Sequence, residues 1–343
     1  MSKRPPRFWL APPAILCLLA AACASPAPAQ TKDKPVKMTR TVCLAGDRFP
    51  WITNNQAEDG SFSGPDGKPD LTATCLMTLA LLGDGSTMRA GPDRARIKKA
   101  VLWLRAQLMA DGTFRPFGKR ARKNSTRANG LATYTIVEAA GLSEYRLLWK
   151  TVDPAVKALL ALRNDDGGWS SDPTQKNSDS EATAWCALAC MSARFFRHPA
   201  PGQPSQKHLV DWFHRHPAKT AKHAAMELLC RVTADKLPTD EYNGAQTAHV
   251  LADHPLVERL LAEASVEKPD ECYWASNALF AVGGKPWKAW QPRLTAITTS
   301  QNTAPKSEHY LTWDPGHGHT RFETTSLRVL TLQTYYRFSH LVR

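Results

Sequence analysis

Four stretches of the sequence hold residues of the types that do chemistry. Ser178-Asp179-Ser180-Glu181-Ala182-Thr183-Ala184 places two carboxylates two residues apart at the head of an apolar segment. Ser178-x-x-Glu181 also has the form of a capping box, which closes a helix start for about 1 kcal/mol. Asp270-Glu271-Cys272-Tyr273 offers a carboxylate and a thiol. With an imidazole from His317 or His319 these make a legitimate set for catalytic zinc, so Asp270, Cys272 and His319 are the metal candidates. The plainer reading makes Asp270 a helix cap and Cys272 a packed side chain. The stretch 115–127 carries Arg115, Lys119, Arg120, Arg122, Lys123 and Arg127. Such a run can clamp phosphate or carboxylate groups, or stand as a solvated basic loop. Finally, His309, Tyr310, Trp313, His317, His319 and Arg321 lie in a long segment punctuated by Gly316 and Gly318. Histidines and aromatics in a long loop read as ligand contacts.

The elements that must position these residues are helices. No runs of alternating Val, Ile and Thr with hairpin turns occur, so no sheet is expected. Two kinds of helix alternate from Trp51 onward. Residues 93–109, 153–162, 207–216, 255–264 and 286–298 are amphipathic. Residues 71–83, 131–141, 181–193, 222–232, 272–284 and 322–336 are apolar or small nearly all round. A helix apolar on every side is surrounded by others. Six such helices, roughly 40 to 60 residues apart, form an internal repeat of helix pairs. Pairs laid side by side leave an unprotected edge at each end, and closing them into a ring removes both. The predicted fold is therefore all-α, an α/α toroid over 49–343 of about six hairpins, apolar helices inside and amphipathic ones outside.

The junctions support this. Gln56 precedes Asp59-Gly60-Ser61-Phe62, Gln107 precedes Asp111-Gly112-Thr113-Phe114, and Arg163 precedes Asp166-Gly167-Gly168-Trp169. Asp-Gly turns the chain from an outer to an inner helix, because Gly accepts φ > 0. The aromatic covers the junction, and the Gln amide can bond backbone groups left unpaired at helix ends. The central funnel of a toroid is rimmed by the loops that feed its inner helices, where helix N-termini favour negative ligands. Trp274 is assigned to the same rim.

Gln56-x-x-Asp59-Gly60-x-Phe62 resembles the QW repeat of squalene–hopene cyclases and the related prenyltransferase β subunits. The stretch around Gln107 resembles a longer copy, and the third carries Arg163 where Gln is expected. Residues 273–291, 313–319 and 330–338 resemble exported bacterial single-toroid proteins of this superfamily, whose role is unassigned. The resemblance implies two chemistries. Residues 178–184 are similar to the D-x-D-D-T-A acid motif of the cyclases, with Asp179 first, Glu181 central and Ala182 in place of the last Asp. Asp270-x-Cys272-Tyr273 is similar to the zinc-binding D-x-C-Y of the prenyltransferases. There, Phe322 stands at the position of the family's ligand His, and His319 lies three residues earlier. The chain lacks the length for a cyclase's second domain. The thioester motif Cys-Gly-Glu-Gln of complement-type toroids is absent.

Lys3, Arg4 and Arg7 followed by an apolar run from Ala14 to Ala22 read as a signal peptide over 1–29, cleaved after Ala27-Pro28-Ala29. Leu19-Ala20-Ala21-Ala22-Cys23 gives the alternative of a lipid anchor at Cys23. Residues 30–48 read as a tether. No segment approaches the ~20 apolar residues of a transmembrane helix. Export is expected, to a periplasmic, envelope-attached or secreted location, and it argues against prenyl transfer, whose donors are cytoplasmic. The formal charge of +13 falls to about +10 without the leader, which favours anionic partners over neutral ones. Of eight cysteines, Cys75, Cys186, Cys190 and Cys230 fall on apolar helical patterns, and no disulfide scaffold is expected. There is no G-x-S-x-G elbow, phosphate-cradling Gly loop, H-E-x-x-H or Rossmann fingerprint. These readings predict an exported binding module for an anionic or partly apolar ligand, such as an envelope polymer or a lipid-derived small molecule rather than nucleic acid. The alternatives are a degenerate cyclase-like or zinc prenyltransferase-like enzyme and a structural interaction protein. No cofactor other than zinc is implied.

Overall fold

A computed structural model describes residues 50–115, 125–196, 198–200, 203, 205–236 and 254–337. The leader, the tether and Cys43 lie outside the described residues, as do Lys119, Arg120, Arg122 and Lys123. In chain order the helices are α1 (Pro50–Asn55), α2 (Leu71–Gly83), α3 (Arg94–Ala106), α4 (Ser125–Leu142), α5 (Trp149–Ala161), α6 (Ser180–Phe195) and α7 (Gln206–Arg215). They continue with α8 (Ala221–Lys236), α9 (Pro255–Glu263), α10 (Pro269–Val282), α11 (Gly284–Trp290), α12 (Thr295–Thr299) and α13 (Arg321–Arg337).

The ring closes. Helix α2 packs on α4, α4 on α6, α6 on α8, α8 on α10, α10 on α13, and α13 returns to α2. These six are the apolar helices, and they run parallel in sequence sense, each entered from the same end. The closing seam is held by the Gln333 amide, which donates to the carbonyl of Ala80 (2.9 Å), and by Phe322, whose ring lies 4.4 Å from Trp51 and 5.5 Å from Phe62. Small residues let the inner helices approach closely. At Gly130 a Cβ would press on the backbone nitrogen of Cys186. The amphipathic helices α3, α5, α7, α9 and α11 pack outside. The toroid is thus the observed fold, and its core is the shared interior of both rings.

Two local differences from the sequence reading have simple causes. Phe62–Ser63 and Pro69–Asp70 pair as β1 and β2, an antiparallel hairpin of two residues each, too short to carry an alternating pattern. The last outer segment is broken by Pro292, which starts a tighter 3₁₀ turn over Gln291–Leu294 between α11 and α12.

The junctions are built alike. In each, the residue before the tight turn's end has positive φ: Gly60 (95°), Gly112 (82°) and Gly167 (85°). An Asx turn closes it, with Asp59, Asp111 and Asp166 accepting from the N–H of Ser61, Thr113 and Gly168. The aromatic then buries itself and donates its N–H into the next inner helix: Phe62 to Thr74 Oγ1 (2.9 Å), Phe114 to Asn129 Oδ1 (2.6 Å), Trp169 to Thr183 Oγ1 (3.0 Å). Arg163 replaces Gln without loss of role. Gln56 donates to the carbonyls of Gly60 and Arg96, and Arg163 to those of Gly167 and His208. Gln107 sits one position earlier, and its amide donates back into its own helix, to Trp103 O.

A fourth junction escaped the sequence reading. The Gln301 amide donates to Leu311 O, Leu311 has φ 64°, and Trp313 donates its N–H to Thr325 Oγ1 and its indole N–H to Ile297 O. Leucine stands where the other copies have glycine, and inserted residues separate it from Gln301.

Gly112→Ala is expected to cost about 2 kcal/mol in urea unfolding, because the residue has positive φ and its Cβ would fall on the Pro154 carbonyl. Gly67→Ala, also at positive φ but with open space around it, should cost less than half as much, which separates the clash from the backbone strain.

Candidate functional site

The second or third residue of every inner helix faces one basin at the ring's mouth. Thr72, Glu181, Lys222 and Asp270 are second residues of α2, α6, α8 and α10, and Arg127 and Glu323 are third residues of α4 and α13. His319, from the loop before α13, joins them. Below this rim lie Leu76, Leu131 and Leu327 with the indoles of Trp185 and Trp274, which meet edge to face at 4.7 Å. The basin holds about 520 Å³, counting its open mouth.

Around the rim, cationic and anionic side chains alternate from Arg127 to Asp270, and the His319 imidazole stands between Asp270 and Glu323. Arg127 Nη1 lies 2.6 Å from Glu181 Oε2, Glu181 meets Lys222, and Lys222 Nζ donates to Asp270 Oδ2 at 2.8 Å. His319 Nε2 lies 3.6 Å from Asp270 Oδ1, and its Nδ1 4.0 Å from Glu323 Oε2. Cations in the first turn of a helix oppose its dipole. Arg127 and Lys222 are held there by the carboxylates. Burial works against the charge on Glu181, but the Lys222 ammonium and Arg127 guanidinium outweigh it and hold its carboxyl below the usual range. Burial likewise opposes the charge on Asp270, and His319 and Lys222 overcome it, so Asp270 titrates well below an ordinary aspartate. The same two carboxylates raise the pKa of Lys222 against its own burial.

Among the sequence candidates, Arg127, Glu181, Asp270, Trp274 and His319 come together here. Asp179 does not. It is the N-cap of α6, in place of Ser178: its Oδ1 accepts from Ala182 N at 2.9 Å and its Oδ2 from Ser171 N at 2.5 Å. Ser178 instead donates to Asp166. With both Asp179 oxygens taken by backbone N–H groups and the Glu181 carboxyl held below the usual range by its ion pairs, the arrangement does not present the protonated acid that alkene protonation asks for.

The donor set for zinc does not assemble. Cys272 is fully buried, its sulfur 3.9 Å from Ser276 Oγ, and burial pushes its thiol up to about 11. Among the described residues no three His, Cys, Asp or Glu side chains come together to hold an ion. Arg115 is exposed at the end of its junction. Trp313 is the buried junction aromatic described above. Arg321 ties the loop to Asp314 (2.9 Å) and Thr312 (3.2 Å), His309 pairs with the exposed Glu308 (3.2 Å), and His317 is exposed at φ 53°. Tyr310 is half-buried beside them.

Sequence reasoning missed Lys222, Glu323, Thr72 and Trp185. The signal was present in the register: aligning the six apolar segments at their starts puts one polar residue at the same turn of each.

The sequence model of the prenyltransferase alpha-alpha toroid domain matches residues 38–223. The chain belongs to this toroid family. Its solved neighbours share the architecture at very low identity. An inactive variant of an alpha-1,6-mannanase of Salegentibacter sp., in complex with alpha-1,6-mannotetrose, is 8% identical, with 86% of this chain and 97% of that one covered at a TM-score of 0.61. Cellobiose 2-epimerase from Bacillus thermoamylovorans is 10% identical, with coverage of 83% and 95% and a TM-score of 0.56. An alpha-amylase from Clostridium perfringens is also 10% identical, with coverage of 84% and 96% and a TM-score of 0.54. At such identities the likeness is one of fold. No curated protein matches the sequence. No described helix of this toroid is long and apolar enough to cross a membrane.

Proposed function

We propose that this toroid is an exported binding module whose central basin takes a compact ligand with a polar or charged end and an apolar body. The observation that carries this reading is the charged rim standing directly over the Trp185–Trp274 floor, with one rim residue supplied by each inner helix. Polar groups that converge on an apolar cavity are the usual make-up of a small-molecule site. The rim carries both signs, so it suits a small molecule with separate polar groups better than a polyanion. The basic leader and the apolar run from Ala14 to Ala22 support export, with Cys23 as the alternative anchor point. Sugars belong among the probes, because the mannanase neighbour was solved with alpha-1,6-mannotetrose. No reaction is assigned to the basin.

The test is ligand-observed NMR on the chain from Gln30, with leucine, 4-methylpentanoate, isoamylamine and alpha-1,6-mannotetrose as probes. Ala128→Trp places a large ring in the basin from a half-buried wall position. At least one probe should bind the unmodified chain and lose at least tenfold in affinity in this variant. Binding by none, or binding indifferent to the plug, overturns the reading. Circular dichroism of the variant checks that the fold is intact.

A further inference from the structure

The charge chain runs around five of the six inner helices and stops. It begins at Arg127 on α4 and ends at Glu323 on α13, and the helix between those two is α2. At the matching position α2 carries Thr72, which has no charge. The two ends of the chain therefore flank one uncharged sector with opposite signs. On the negative side, Glu323 Oε2 accepts from Thr320 N (2.8 Å) and faces His319 only at 4.0 Å. Asp70, the N-cap of α2, lies near Glu323, and burial together with that like charge raises its pKa, which leaves Glu323 as the carboxylate of this side. On the positive side, Arg127 gives Nη1 to Glu181, and a guanidinium carries further N–H groups in the same plane. Under Thr72 the wall is aliphatic, made by Leu76, Leu131 and Leu327.

Resting on the binding reading above, we propose that this sector binds a small zwitterion with an aliphatic body. Its ammonium lies against Glu323, its carboxylate against Arg127, and its hydrocarbon on the leucine wall. Such a ligand bridges the oppositely charged ends of the chain, Arg127 and Glu323. A simple anion would satisfy Arg127 and meet Glu323 with the same sign, and a simple cation would do the converse. Charge-assisted hydrogen bonds at both poles give the selectivity, since an analogue that lacks one pole forgoes the bond at that end.

Calorimetry with leucine as the zwitterion, 4-methylpentanoate as the carboxylate-only analogue and isoamylamine as the ammonium-only analogue tests this. Leucine should bind the unmodified chain at least tenfold more tightly than either analogue. Glu323→Gln should weaken leucine at least tenfold while 4-methylpentanoate binds as well or more tightly, its like-charge repulsion having been removed. Arg127→Gln should weaken leucine and 4-methylpentanoate and spare isoamylamine. Because Arg127 also pairs with Glu181, Arg127→Lys, which keeps a cation, is run beside it and should retain part of the leucine affinity. If 4-methylpentanoate binds as tightly as leucine, or Glu323→Gln leaves leucine unchanged, the zwitterion assignment falls while the binding reading stands. If Ala128→Trp blocks the sugar and no charged probe binds, the assignment also falls. If no probe binds at all, both fall.

Discussion

Lys222→Met is expected to lower the unfolding free energy at pH 7 by about 3 kcal/mol, the low end of the cost of breaking a buried ion pair, because the pair keeps some solvent contact. The ammonium is shared by Glu181 and Asp270, with a fifth of the lysine side chain exposed. Without it, Glu181 keeps its Arg127 partner, while Asp270, left with His319 at 3.6 Å and facing the Glu181 carboxylate, has its pKa raised and holds its proton to higher pH. The pH dependence then changes sign. In the unmodified chain Glu181 and Asp270 have lowered pKa values, so their stabilisation is complete above the unfolded value and lost as pH falls through the folded ones. The raised Lys222 contributes stability that is present below its unfolded pKa and lost as pH rises through its folded one. In Lys222→Met the retained proton makes the protein more stable in mild acid than at neutrality. Urea unfolding between pH 5 and 8 measures this. Burial and the adjacent Lys222 ammonium lower the pKa of His223, and His319 lies against Asp270, so the comparison is repeated in a His319→Gln background. A loss that does not vary with pH would show that the ammonium does not couple the two carboxylates.

Much of the ring was legible because burial on all sides leaves a helix with no polar face to display. Segment 71–83 was bounded correctly on that ground, and it is α2. Helix α4 was read from 131 and begins at Ser125. Its first turn holds Arg127 and Asn129, polar residues that a single helix would present to water, but here one faces the basin and the other accepts the Phe114 N–H. The rim was harder for the same reason. Lys222 headed a segment correctly placed inside, yet a lysine at a helix start looks solvated until Glu181 and Asp270 arrive from distant parts of the chain. Trp313 failed in the opposite direction. Surrounded by His and Gly it looked like a ligand contact, and only the Leu311 turn and the bond to Thr325 reveal a junction whose glycine has been replaced. Pairings across the ring are set by closure, which local pattern does not encode.

Trp169→Ala should be the most damaging single change at a junction, about 4 kcal/mol, with circular dichroism in guanidinium as the readout. The indole is wholly buried, it spans outer helix α5 and inner helix α6, and its Nε1 donates to the Leu159 carbonyl at 2.7 Å. Arg163 lies over the ring, 5.3 Å from its centroid, so the alanine variant also strips packing from the side chain that closes the turn. Trp169→Phe isolates the polar part. Phe62 and Phe114 fill the equivalent positions without an indole N–H, so the fold accepts a phenyl ring there. What phenylalanine cannot do is satisfy Leu159 O, and the expected cost is about 1–2 kcal/mol, that of one lost buried hydrogen bond plus a small void. Trp313→Phe should cost a similar amount, because its Nε1 makes the matching bond to Ile297 O, also at 2.7 Å. Equal costs at the two sites would identify residue 313 as a working junction despite its leucine turn. A cost near zero for Trp313→Phe, with Trp169→Phe costing the full amount, would mean that the fourth copy keeps the shape of a junction and carries little of its load.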